Sequence, residues 1–288
     1  MFKFKKTSHA ALLAAALCAG AAVATSSDVF ATEYAHVVPH RAFYTLSADK
    51  IEERSGVRSA GGRMVIEITG NRCDGWAVNV RFATALGVQR GQTRVLDNVD
   101  SYFEAGDGSK FKFSSRFYIN GNLEKETKGE ANLTIKDGAS EGGEVELEQP
   151  TEIAFKLPKG TLFPMAHTEK LLKLATRGET FDRVQIYDGD GDKTVYFAST
   201  VIGKKKEGLS SPTQAQKPLK GVAYWPVSIS YYDRKTETYS AGEQVPSHQV
   251  GFTMFENGVS GSLTIDYGDF SLKGELEKLE MLEEVSCD

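Results

Sequence analysis

The sequence predicts a mainly β protein: one large antiparallel meander carrying a single main helix. Three observations predict it. Apolar residues recur at every second position in many short runs, as in strands that bury one face. Turn dipeptides ending in glycine separate those runs. One segment alone breaks the alternation, and it carries the punctuation of a helix.

The strands follow in chain order. Met64, Ile66 and Ile68 alternate with Arg63, Val65 and Glu67. Trp76, Val78, Val80 and Phe82 oppose Ala77, Asn79 and Arg81. Phe111, Phe113, Phe117 and Ile119 alternate with Lys112, Ser114, Arg116 and Tyr118. Val145 and Leu147 sit between glutamates, and Val227, Val250 and Leu263 each open a further alternating run. Asp107-Gly108, Asn120-Gly121, Asp137-Gly138 and Asn257-Gly258 supply the positive φ angles of tight turns. Strands joined this way form a meander rather than parallel crossovers. The pattern gives about a dozen strands. The helix spans about 164–177, with Pro164 at its start, Lys173 and Arg177 toward its end and Gly178 just past it. A lone helix among strands packs against a curved sheet or plugs it. Gly203 to Gly221 is polar and basic, with Lys204, Lys205, Lys206, Lys217 and Lys220, and reads as a mobile, solvated loop between two parts of one sheet.

The N-terminus reads as an export signal. Lys3, Lys5 and Lys6 precede an apolar, alanine-rich run from Ala11 to Ala24. That run is short for a membrane span, which needs about 20 apolar residues. Cleavage falls after Ala24 or Ala31, which leaves residues 32–288 as a single domain and makes the protein periplasmic. Cys18 leaves with the signal; Leu17 before it disfavours lipidation. The mature chain then keeps Cys73, in the turn NRCDGW, and Cys287. An even count in an oxidising compartment implies one bridge between them, with a structural role, since no CxxC motif accompanies it.

Charge narrows the partners. The whole chain carries −5; loss of three lysines and Asp28 with the signal takes the mature chain to about −7. An acidic chain of this kind gains nothing from a polyanion, so nucleic acid is excluded as a partner. Catalytic and metal motifs are missing. Asp188, Asp190 and Asp192 have the first spacing of a calcium loop, but Lys193 stands where glycine belongs and Ser199 where glutamate belongs. Gly258 to Ser262, GVSGS, lacks the final glycine of a nucleophile elbow. His36, His40, His167 and His248 form no paired ligand pattern, and the first two are expected to be exposed. No catalytic residue, metal or cofactor is therefore expected. Aromatic and aliphatic residues on the strand faces and helix — Trp76, Val78, Phe82, Phe111, Phe113, Phe117, Leu171, Trp225 and Phe252 — are candidates either to fill a core or to line an apolar cavity. Periodicity leaves both readings open.

Several segments occur together in order: HRAFYTLS from His40, GGRMVIEITGNRCDGWAVNVRF from Gly61, SYFEAGDGSKFKF from Ser101, LPKGTLFPMAHTEKLL from Leu157, YWPVSISYYD from Tyr224 and GVSGSLTIDYGDFSLKGEL from Gly258. With the distant terminal Cys287, this resembles the alphaproteobacterial cell envelope integrity family EipB over essentially the mature chain. The resemblance implies a periplasmic protein whose sheet bends into an open, barrel-like β-spiral, similar to the lipoprotein carriers LolA and LolB. It also implies the Cys73–Cys287 disulfide, and it assigns no catalytic residue. The functional expectation is non-enzymatic maintenance of the envelope by binding a lipid, a lipoprotein or another periplasmic protein. The helix near Leu171 would fill or gate the concave face, and the disulfide would hold the edges of the bent sheet. A carrier of acylated cargo and an envelope-modifying hydrolase are the alternatives.

Overall fold

The computed structural model describes residues 36–88, 91–189, 194–233 and 245–287. The export segment, both cleavage positions, Asp190 and Asp192 lie outside the described residues. Among the described residues the alternation becomes fifteen strands, more than the dozen that the pattern gives. The first half holds β1 (His40–Ile51), β2 (Val57–Asn71), β3 (Gly75–Val88), β4 (Thr93–Glu104) and β5 (Lys110–Ile119). Then come β6 (Asn122–Lys136), β7 (Ala139–Gln149), β8 (Ile153–Leu157) and the two-residue β9 (Thr161–Leu162). The helix α1 (Pro164–Thr176) follows, and after it β10 (Phe181–Ile186), β11 (Tyr196–Ile202) and β12 (Tyr224–Asp233). β13 (His248–Phe255), β14 (Ser260–Asp266) and β15 (Phe270–Met281) complete the chain.

All fifteen belong to one sheet, in the order β8-β7-β6-β5-β4-β3-β2-β1-β15-β14-β13-β12-β11-β10-β9. Every pair is antiparallel except β9 with β10. Two hairpins use the predicted mirror turns in full: Asn120 and Gly121 have φ of 52° and 83°, Asp137 and Gly138 of 51° and 75°. At the other two predicted turns only Gly108 and Gly258 are left-handed.

The first and last strands are neighbours. β1 pairs with β15 from His40↔Met281 to Ile51↔Phe270, so the ends of the domain meet in the middle of the sheet. The free edges are β8 and β9, which lie in mid-sequence. The disulfide expectation is therefore corrected in one respect. Cys73 and Cys287 are bridged, with 5.7 Å between α-carbons. The bridge ties the tail after β15 to the β2–β3 turn; it does not hold the sheet's edges. Asn71 supports the same junction: its Oδ1 accepts from the Cys73 and Asp74 amides, and its Nδ2 donates to Val285 O at 3.2 Å.

The sheet wraps around α1. Met165, Leu171, Leu172 and Ala175 of α1 share one buried cluster with Trp76 and Val78 of β3. The same cluster holds Val184, Ile202, Ile229 and Met254 of β10 to β13. β3 and β10 to β13 are far apart in the strand order, so a helix that reaches both walls lies inside the curl. Phe163, just before α1, stacks on Phe111 at 5.0 Å between ring centroids and brings β5 into the same interior. β9 comes near β7, which narrows the gap between the two edges.

Two local expectations are overturned. Residues 203–221 are not simply a solvated loop. Lys206 bridges to Tyr224, and Leu219 is fully buried in a cluster with Tyr44, Phe255 and Leu263. The segment joins adjacent strands β11 and β12, so it separates nothing. His40 is buried rather than exposed; its Nδ1 lies 2.7 Å from Val38 O, and burial lowers its pKa. His36 is exposed, beside Glu284 at 3.1 Å.

Candidate functional site: a lumen divided by a helix

The interior site is built on α1, and α1 is positioned by two glutamates. The residue before the helix, Phe163, has no side chain able to cap it. The cap comes from elsewhere in the chain: Glu104, at the end of β4 and 1 % exposed, accepts from the amides of Met165 and Ala166, each at 2.7 Å. These are among the first helical N–H groups, which have no partner within the helix. Burial pushes the Glu104 carboxyl up to about 8, although both amide bonds pull it down. One turn further on, Glu169 accepts from Trp76 Nε1 at 3.1 Å and pairs with Arg72 at 2.8 Å. Lys170 pairs with Asp182 of β10, also at 2.8 Å. The helix is thus fixed to β3, β4, the β2–β3 turn and β10 by polar contacts in addition to its apolar face.

Neither glutamate stood out in the sequence. Glu104 is one acidic residue at a strand end and Glu169 one acidic residue on a helix, and no spacing pattern sets either apart. The one available signal was negative: PMAHTE begins at proline with no Ser, Thr, Asp or Asn before it, so its cap had to come from outside the segment.

The helix leaves cavities on both sides. One, of about 300 Å³, lies between α1 and the inner faces of β12 and β13; Leu171, Ile186, Ile229, Val250, Phe252 and Met254 form its apolar wall. His167, Asp188, Tyr231 and His248 form the polar part. A smaller space of about 220 Å³ adjoins it at Pro164 and Asp188 and reaches Asp100, Tyr102 and Phe113. A third, of about 440 Å³, lies toward the disulfide and is bordered by Arg72, Trp76, Glu104, Glu169, Lys170 and Lys173. There burial, and then the Arg72 charge, lower the Lys173 pKa.

The candidate residues from the sequence divide between wall and core. Leu171 and Phe252 line the 300 Å³ cavity, Phe113 the adjoining one and Trp76 the third. Val78 and Trp225 pack in the cluster around α1, and Phe111 in the aromatic cluster with Tyr187. Phe82 packs against the cluster that contains Leu219. Phe117, half-buried on β5, lies opposite Asn98 and Lys125 and borders none of the three cavities. Among the described residues no group of three His, Cys, Asp or Glu is placed to hold a metal. Among the same residues no helix is long and apolar enough to cross a membrane.

The barrel-like sheet with one internal helix, the β2–β3 turn and the terminal cysteine now stand together. A family model described as EipB-like matches residues 31–283. The chain belongs to the EipB-like family. It is 35 % identical over 264 residues to the cell envelope integrity protein EipB of Brucella abortus (strain 2308), covering 91 % of this chain and 88 % of that relative. It also matches the crystal structure of a β-barrel-like protein of the domain of unknown function DUF1849 from Brucella abortus. The TM-score there is 0.76 at 33 % identity, over 86 % of this chain and all of that one. The curled sheet seen here is the fold of that family member.

Proposed function

We propose that the chain is exported to the periplasm and supports envelope integrity there without catalysis, by binding an envelope lipid or protein component. Kinship with a relative named for cell envelope integrity supports the role. The observation that carries the binding reading is the cavity of about 300 Å³ against α1, apolar on one wall and polar at one end. Its volume is at the lower limit of ligand pockets, which run from about 300 to 1,000 Å³. Because α1 occupies the middle of the lumen, the remaining space suits one chain of a lipid better than bulky, multiply acylated cargo. That weighs against a carrier resembling LolA or LolB, and no observation favours a hydrolase.

Native mass spectrometry tests the binding reading on protein released gently from its own compartment. The expected spectrum contains a species heavier than the polypeptide by one small apolar molecule, which organic extraction removes and added lipid extract restores. A bare polypeptide mass that takes up nothing from such an extract contradicts it.

A further inference from the structure

The outer surface carries an apolar pair beside a concentration of positive charge. Phe181 of β10 lies directly opposite Val201 of β11, and the two side chains are 60 % and 56 % exposed. Their strand neighbours Val184, Ala198, Thr200 and Ile202 are buried, so alternation turns this pair to the outside. The basic segment 203–221 starts two residues after Val201, and Lys204 is within about 10 Å of it along the chain.

That segment sorts its residues by polarity. Leu209, Ala215, Leu219 and Val222 pack inward with Tyr44, Phe255 and Leu263. Lys204, Lys205, Lys206, Lys217 and Lys220 are all exposed. Backbone contacts gather these lysines into one lobe. Lys206 bridges to Tyr224, and Gly208 approaches Gly221 so closely that a Cβ on Gly208 would lie 2.9 Å from Gly221 Cα. Lys205 is 3.6 Å from Glu207, whereas Lys204, Lys206, Lys217 and Lys220 stand in no ion pair among the described residues. On the other walls Lys110, Lys128, Lys156, Lys159 and Lys278 each lie 2.9 Å or less from a carboxylate. Uncompensated lysine charge is therefore concentrated here. The exposed acids nearby are Glu179 before β10, Glu207 and Glu256, with Arg177 as a further cation.

The whole chain is acidic, yet at physiological ionic strength an opposing surface is screened from charges more than about 8 Å away. A surface that meets this lobe meets lysines. Charge alone would suit any polyanion; the apolar pair narrows the choice. A phenyl ring and an isopropyl group gain from the boundary between lipid headgroups and acyl chains, which a polysaccharide does not offer.

We propose that this face docks on an anionic phospholipid surface, with Phe181 and Val201 in the headgroup boundary and Lys204, Lys206, Lys217 and Lys220 against the headgroups. The docking is separate from the chamber beside α1 and does not depend on its being filled. Flotation of the mature, disulfide-bonded protein tests it, with vesicles of phosphatidylcholine alone and of phosphatidylcholine mixed with phosphatidylglycerol. Binding is expected to the mixed vesicles, reversed by salt, and not to phosphatidylcholine alone. Changing the four lysines together to glutamine is expected to weaken it about tenfold or more, since one lysine near such a surface is worth about fivefold. Phe181→Ser is expected to weaken it about fivefold through lost apolar burial. All five positions are exposed, so both variants should melt with wild type. Lys156→Gln with Lys159→Gln, on another wall, should change nothing. Equal binding to the two kinds of vesicle, or to neither, overturns the proposal. So does equal weakening by the Lys156 and Lys159 changes, because net charge is then the cause. Loss with the lysine variant but full binding by Phe181→Ser also overturns it and leaves an acidic macromolecule as the partner that the lysines fit.

Discussion

Replacing Cys73 with serine lowers the melting temperature by on the order of 10 °C under oxidising conditions. The two cysteines are 214 residues apart, and in the chain-entropy description a loop of that size is worth up to about 5 kcal/mol. The effect arises in the unfolded chain. In the folded one β1 and β15 already lie side by side, and Leu282 N–H bonds to Pro39 O at 3.0 Å, so the bridge adds little order to what the ladder has fixed. Both sulfurs are on exposed residues, so reductant reaches them without unfolding. Reduced wild type and the serine variant should therefore melt together, while oxidised wild type melts higher. Coincident melting of oxidised wild type and variant contradicts the account.

The second large effect belongs to Glu104. Its carboxyl titrates near 8 when folded, against a model-peptide value of 4.5. Between those values the folded state holds a proton that the unfolded chain has released, so stability falls as pH rises through this window. The slope attributable to this one group is at most about 1.4 kcal/mol per pH unit. Glu104→Gln removes the titration and also leaves one of the Met165 and Ala166 amides facing a donor, at a cost of about 1–3 kcal/mol. The variant should lose most relative to wild type near pH 5. The gap should narrow toward pH 8, where the wild-type carboxylate pays for its burial. Urea midpoints at pH 5, 6.5 and 8 measure both curves. Parallel curves would show that Glu104 does not titrate in this window.

What was legible in the sequence was periodic or countable. Alternation along β2, β3 and β5 named the inward residues correctly, because a half-buried strand writes its two faces into adjacent positions. Asn120-Gly121 and Asp137-Gly138 fixed two hairpins because few other pairs tolerate left-handed backbone at both positions. The expected export segment contains Cys18, and the two cysteines that remain, Cys73 and Cys287, have one pairing, which is the bridge present. What escaped depends on contacts between distant segments. β9, two residues long, has no period to detect and exists because β10 lies beside it. The pairing of β1 with β15 places the disulfide at the centre of the strand order, which no local pattern states. Residues 203–221 are polar on average, and that average concealed Leu219, which is buried with Tyr44, Phe255 and Leu263. Glu104 and Glu169 are ordinary charges until the helix is enclosed. For the candidate site, Leu171 and Phe252 stand among the apolar residues that periodicity leaves open between core and cavity, and both border the 300 Å³ cavity, whereas His167 is an isolated histidine until α1 is enclosed.

The curled sheet encloses α1 and leaves a cavity of about 300 Å³ beside it, which the proposed function fills with a ligand. Methyl-resolved nuclear magnetic resonance during titration with dodecanol, a single-chain probe without charge, tests this most directly. The account predicts saturable shifts at Leu171, Ile186, Ile229, Val250 and Met254, with none at Val201, which is 56 % exposed on the outer face of β11. Shifts confined to Val201 and other outward methyls, with the chamber residues unmoved, would contradict it.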